Sequence, residues 1–296
     1  MSEFLQQLLN GLSLGAIYAL IALGYTMVYG VLRFINFAHA DVFMVGAFIG
    51  YYMGKLVPSG TIWGGMIVLL VAMVGCALLG IIIERLAYRR LRGGPTLNVL
   101  ITAIGVSLLL EYSGQVFFGA APRTFPPVFP SMNFHLGTLV FSTNQLAVIV
   151  IAVLLMIALQ FIVYRTKIGT AMRAVSQNPK ASQLVGVNND IVISFTFGLG
   201  SALAGAGGIL YALNYPSIDP LMGVMPGLKA FVAAILGGIG NIPGAALGGL
   251  ILGTVETFVN GSQWSTYKDA IAFGILIVIL LFRPAGLLGK FAVEKV

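Results

Sequence analysis

Within six residues the chain places an amide, an imidazole and a carboxylate: Asn36-Phe37-Ala38-His39-Ala40-Asp41. Apolar sequence flanks them on both sides. Polar groups in that setting are expensive, and they commonly mark a pathway for a polar solute. The plain alternative is structural: His39 bonded to a helix carbonyl, or Asp41 paired locally with Arg33 or His39. A second interruption is Gly237-Gly238-Ile239-Gly240-Asn241-Ile242-Pro243-Gly244. Three glycines followed by Pro243 disfavour a continuous helix. Backbone groups freed at membrane depth need protein or a water-filled cavity to satisfy them. The two breaks therefore predict a solute pathway bordered by Asn36, His39, Asp41, Gly237, Gly238, Gly240, Asn241 and Pro243. Spaced glycines follow each break, Gly46 and Gly50 in one and Gly248, Gly249 and Gly253 in the other, so the two read as a possible repeat.

A third stretch is chemically different. Residues 165–190 carry Arg165, Lys167, Arg173 and Lys180 against Asp190 alone. Ile168, Met172 and Val175 recur at helical spacing and give a small apolar stripe. Asn178-Pro179 reads as an N-cap followed by proline at the first helical position, and Gly186 as a helix end. The prediction is a compact basic helical hairpin in water, a docking surface for a partner.

The elements that must hold these residues are lipid-compatible. Of 296 residues 58% are hydrophobic and 8% charged, with mean hydropathy +0.99. That composition excludes an ordinary soluble domain. The fold class is all-α, a polytopic integral membrane protein in one domain over 1–296. It has about eight transmembrane helices and a broken or re-entrant segment. Apolar segments run near Leu5–Tyr29, Phe34–Met53, Ile62–Ile83, Val99–Phe118, Gln145–Tyr164, Ile191–Leu213, Leu228–Leu236, Ile242–Phe258 and Ala270–Phe282. Leu228–Leu236 covers only about half of a hydrocarbon core roughly 30 Å thick. It is therefore expected to turn back at membrane depth, with both ends of 228–258 facing outward.

Basic residues set the orientation. Arg85, Arg89, Arg90 and Arg92, the 165–190 stretch, and Arg283, Lys290 and Lys295 should all be cytoplasmic. The N-terminus then lies outside, and the net charge of +7 follows from topology, with no nucleic acid implied. Lys229 and Glu256 fall near segment ends and read as snorkelling groups. Glu111 reads as hydrogen-bonded between helices. Trp63, Trp264 and Tyr267 fit an interfacial aromatic belt. Cys76, the single cysteine, reads as packing. No GxxxxGK[ST] phosphate loop and no Cys/His metal cluster occurs, so neither a cofactor nor a metal is expected, and an enzyme reading is weak.

Several strings resemble one family. GLSLGAIYALIALGYTMVYG followed by INFAHAD, ERLAYRRLR with NVLITAIGVSL, the 165–190 loop, GLKAFVAAILGGIGNIPGAALGGLILGTVE and the terminal PAGLLG are similar to the permeases of branched-chain amino acid ABC importers. The resemblance implies half of a heterodimeric permease in a bacterial or archaeal inner membrane. Its partners would be a second homologous permease, two cytoplasmic ATP-binding subunits and an extracytoplasmic binding protein. The family's Gly-x-x-x-Arg-Ala loop maps onto Gly169, Arg173, Ala174 and Gly186, with Asn178 between the two helices. It implies that this hairpin couples to the ATPase. The implied substrates are leucine, isoleucine and valine. Urea, short amides or other amino acids are the alternative within the family, and an ion-coupled transporter working alone is the alternative outside it. Ala40 stands where the family usually has glycine. Ser182 stands where alanine is common, a change read as neutral.

Overall fold

A computed structural model describes residues 2–137 and 139–289. Lys290 and Lys295, expected in the basic C-terminus, lie outside the described residues. Helices dominate, as the apolar segments predict. They are α1 (Ser2–Leu32), α2 (His39–Gly54), α3 (Ile62–Ile83), α4 (Thr96–Phe118), α5 (Thr143–Arg165), α6 (Lys167–Gln177), α7 (Pro179–Leu184), α8 (Asn189–Asn214), α9 (Val224–Gly237), α10 (Ile242–Asn260) and α11 (Lys268–Phe282). A π-turn (Glu84–Tyr88) and a 3-10 turn (Arg89–Leu91) prolong α3. Among the described residues seven helices are long and apolar enough to cross a membrane. At 16 and 14 residues, α2 and α9 are partial-length helices.

Local chemistry sets the helix ends. The Thr61 hydroxyl caps α3 by accepting from the Gly64 N–H. Ser142 and Gln145 form a capping box at α5, which satisfies amides that would otherwise be orphaned. Short strands occur only between helices: β1 (Arg123–Thr124) pairs with β4 (Ser217–Ile218), and β2 (Asn133–Leu136) with β3 (Leu139–Ser142), both antiparallel. They arise in the loops between α4 and α5 and between α8 and α9.

The core is a seam of small residues. The helices α1 and α10 run antiparallel, and a Cβ on Gly11 would fall 2.7 Å from Thr254 Cα, one on Gly15 2.8 Å from Leu250 Cα. Gly249 and Gly253 sit on the backbone of Ala19 and Gly15. In lipid no hydrophobic force distinguishes helix from tail, so close backbone contact supplies the dispersion energy of association. The consequence is a strong radial order. The apolar stretch of α1 is 94% buried and that of α8 78%, against 17% for α4 and 6% for the last helix. The outer helices keep apolar faces for lipid or another chain.

The three basic segments gather at one end. Arg92 ties the loop after α3 to Asp190 at the start of α8. The Ser176 hydroxyl of α6 donates to the Gly30 carbonyl at the end of α1, and the chain after Arg283 packs on Gly238. Gln6, Asn10, Asn144 and Asn214 cluster at the opposite end, where Trp63, Trp264 and Tyr267 stand exposed. The positive-inside rule assigns the first end to the cytoplasm.

Candidate functional site: two interior breaks, a basic hairpin and an ionic cavity

The first break opens where Arg33, with φ 56°, closes α1 in the left-handed region. Six residues later α2 begins at His39. Asn36, His39 and Asp41 are all buried, yet each meets a different neighbour. Asn36 Oδ1 accepts from the Tyr88 hydroxyl at 2.7 Å. His39 lies against Gly24, where a Cβ would collide with the imidazole, and its ring sits edge-on to Tyr25 at 4.8 Å. Its Nε2 is buried without a hydrogen-bond partner. Asp41 accepts from the Ser107 hydroxyl at 2.5 Å, with Glu111 beside it. Neither Arg33 nor His39 is its partner. None of the three lines the cavities of about 740 and 670 Å³ at the two ends of the bundle.

The second break is a non-helical turn, as expected, but its depth is corrected. Gly240 packs beside Gly30 at the end of α1, so the turn lies at the basic end of the bundle. Pro243 does not break a helix either. It occupies the first turn of α10, where a missing N–H costs nothing. Asn241 caps that helix through Gly244 and donates to the Leu288 carbonyl at 2.7 Å. The backbones of Gly237 and Gly244 touch. The chain reaches the interior of the bundle earlier, where residues 215–223 descend from the β1–β4 pairing to the buried Gly223. There α9 begins, with Gly223 and Gly227 pressed on Ala40. The start of α2 is therefore partnered by the start of α9, not by the 237–244 turn as the glycine spacing suggested. Ala40 fills space at this junction.

The hairpin forms as predicted. Thr166 caps α6 through Gly169, while Asn178 caps α7 through Lys180 and Ala181 at 3.1 and 3.0 Å. Pro179 starts α7, and Gly186 turns with φ 86°. Met172 and Val175 are buried beneath it. Gly169 fits against the last carbonyls of α5, where a Cβ would clash. Arg173 is exposed, 5.7 Å from the Tyr164 ring centroid, and next to it Ala174 is half-buried. Leu184 and Val185 protrude, 89% and 78% exposed. Ser182, read as neutral, is not. Its buried hydroxyl donates to the Pro179 carbonyl and meets Asn189 Oδ1 at 2.9 Å, tying the hairpin to α8.

Two ionic clusters escaped the sequence reading. At the basic end Glu84, fully buried, is held by Arg89, Arg92 and the Ser194 hydroxyl. At the opposite end Lys229 and Glu256 do not snorkel. They meet at 2.6 Å with side chains 6% and 8% exposed. The Tyr18 hydroxyl donates to the other Glu256 oxygen at 2.9 Å. Asp269 Oδ1 lies 2.7 Å from the same ammonium, off the direction of a hydrogen bond. This cluster lines a cavity of about 740 Å³. The available signal was one acid and one base in neighbouring apolar helices of opposite direction.

Comparison with known proteins decides the family. The model of the branched-chain amino acid transport system permease component matches residues 7–280. The chain belongs to that family. The permease is 42% identical to BraD, a high-affinity branched-chain amino acid transport system permease protein of Pseudomonas aeruginosa, over 99% of this chain and 98% of the relative. It is 40% identical to LivH of Escherichia coli K12, over the same shares. A probable LivH of Methanocaldococcus jannaschii is 30% identical over 91% of the permease and 88% of its own length. The resemblance read from the motifs holds over the whole chain, and the permease is a multi-pass membrane protein.

Proposed function

We propose that this permease is the membrane-spanning subunit of an ATP-driven importer of leucine, isoleucine and valine in a bacterial or archaeal plasma membrane. The observation that carries the reading is full-length likeness to branched-chain amino acid permeases. A second homologous permease, two cytoplasmic ATPase subunits and an extracytoplasmic binding protein complete the system. Hydrolysis belongs to those partners.

The geometry supports a route for coupling. The hairpin offers exposed Arg173, Lys180, Leu184 and Val185 to an ATPase, while its apolar underside is occupied by the bundle. A push on α6 reaches Gly30 through Ser176, and Gly240 rests on the same Gly30. One displacement at the hairpin thus reaches the end of α1, from which the first break departs, and the 237–244 turn. Asn36, His39 and Asp41, with Gly237, Gly238, Gly240, Asn241 and Pro243, are proposed to border the path that opens. Packed helices shift between discrete arrangements and do not deform continuously.

The test is leucine uptake in cells carrying the whole system, together with ATPase co-purification on tagged permease. Uptake should require the ATPase and the binding protein and survive collapse of proton and sodium gradients. Uptake that follows an ion gradient without a co-purifying ATPase would overturn the reading. Uptake of urea or a short amide in place of leucine would reassign the substrate.

A further inference from the structure

The cavity at the non-basic end contains charges that folding alone does not require. Replacing a buried ion pair by apolar groups of similar volume is often neutral or stabilising, so a pair kept in a lipid-soluble bundle calls for another reason. One ammonium, Lys229, stands between two carboxylates, Glu256 and Asp269, and Lys268 lines the same cavity, so its charged lining is balanced. Asp269 Oδ1 and Asn144 Oδ1 are buried without a hydrogen-bond partner, and both residues line the same cavity.

We propose that this cavity is a receiving site for a free amino-acid zwitterion, whose carboxylate meets Lys229 and whose ammonium meets Glu256 or Asp269. The proposal rests on the import function above and adds the place where the permease first holds its solute. A zwitterion inserts into an ion pair without changing net charge, and one lysine contact becomes a chain of alternating charges. An anion alone would leave the two carboxylates without gain, and a cation alone would leave Lys229 and Lys268 without gain. The second turn of α9 carries Lys229, so the positive end of a helix that begins inside the bundle adds to the field on a carboxylate. Leu14, Leu213 and Met225 line the cavity beside these charges and offer an apolar wall to an aliphatic side chain. About 740 Å³ lies within the range of roughly 300–1,000 Å³ for small-molecule sites.

The experiment uses the purified full chain in nanodiscs, with Thr257→Cys as reporter. Thr257 lines the cavity, and the native Cys76 is buried. Labelling by an impermeant maleimide is timed with and without L-leucine. At a leucine concentration about twice its Kd, labelling should slow about threefold, because the free fraction is 1/(1 + [L]/Kd). The deaminated acid and the decarboxylated amine of leucine, each with one charge, should not protect. Protection should vanish in Lys229→Met. It should also vanish in Lys229→Met/Glu256→Gln, which is neutral at both positions and serves if the single variant does not fold. Three results overturn the site: no protection by any free amino acid, equal protection by the single-charge analogues, or protection undiminished in these variants. Protection by another amino acid but not by leucine keeps the site and overturns the branched-chain assignment. Leucine uptake by the whole importer with no protection here sinks the site alone.

Discussion

The two ends of the permease each hold a buried carboxylate, and they hold it differently. Glu84 meets two arginines that follow it by five and eight residues, with Asp190 and Ser194 of α8 closing the group. Glu256 meets one lysine from a different helix, beside a second carboxylate and a cavity. The first cluster has cations in excess of what Glu84 alone needs, and Asp190 absorbs the remainder. It joins the end of α3 to the start of α8 and leaves no anionic oxygen of Glu84 to spare. The second sets Lys229 between Glu256 and Asp269 on the wall of a cavity that Lys268 also lines. The comparison separates a joint from a site. The carboxylate's own access distinguishes them: Glu256 lines its cavity, whereas Glu84 does not line the one that Arg89, Arg92 and Asp190 border.

The largest effect should come from breaking the joint. Glu84→Gln leaves two guanidinium groups against a neutral amide, and removing one partner of a buried pair costs about 3–5 kcal/mol. The thermal midpoint of the purified permease should fall clearly, and by more than in Glu256→Gln, where cavity water takes up the loss. Equal shifts in the two variants would erase the distinction.

Arg173→Glu should leave that midpoint unchanged, because the side chain is exposed, with a hydrogen bond to Thr170 of its own helix and the Tyr164 ring nearby. Leucine uptake and ATPase co-purification should drop about tenfold or more, as expected for a reversed charge at an interface costing at least about 1.4 kcal/mol. A relocated arginine that restores both would reduce Arg173 to a topology signal and break the contrast between hairpin and joint.

The smallest effect should be Asp190→Asn. Its side chain is 54% exposed, and pairs at that exposure contribute about 0–1 kcal/mol. A midpoint loss matching that of Glu84→Gln would mean that the joint is a single coupled network.

Much of this fold was legible in residue order. Lipid demands apolar length and internal backbone bonding, so hydropathy placed most helix ends within a few residues. Local caps such as Asn178-Pro179 gave the hairpin. What failed needed knowledge of neighbours. Val224-Met225-Pro226-Gly227 looks like loop sequence, yet α9 starts there because Ala40 offers a flat place for Gly223 and Gly227. Pro243 reads equally as a breaker or a starter, and only the Asn241 cap decides. Lys229 and Glu256 looked terminal because the true start of α9 was missed, so their pairing could not be seen. Asp41 found Ser107, 66 residues away, and not the nearby Arg33 or His39.

The glycine seam between α1 and α10 has a consequence in heredity. Every single-base change at the first or second position of a glycine codon adds a Cβ or a stop. At Gly11, Gly15, Gly249 and Gly253 a Cβ meets backbone, and backbone cannot swing aside as a side chain can. No one-step amino-acid change at these codons is conservative. A saturation scan scored by uptake should record them as a block of intolerance, more severe than at exposed Arg173. The seam helices are then the part of the gene least free to drift, and the same two helices bring Tyr18 and Glu256 together at one end of the permease.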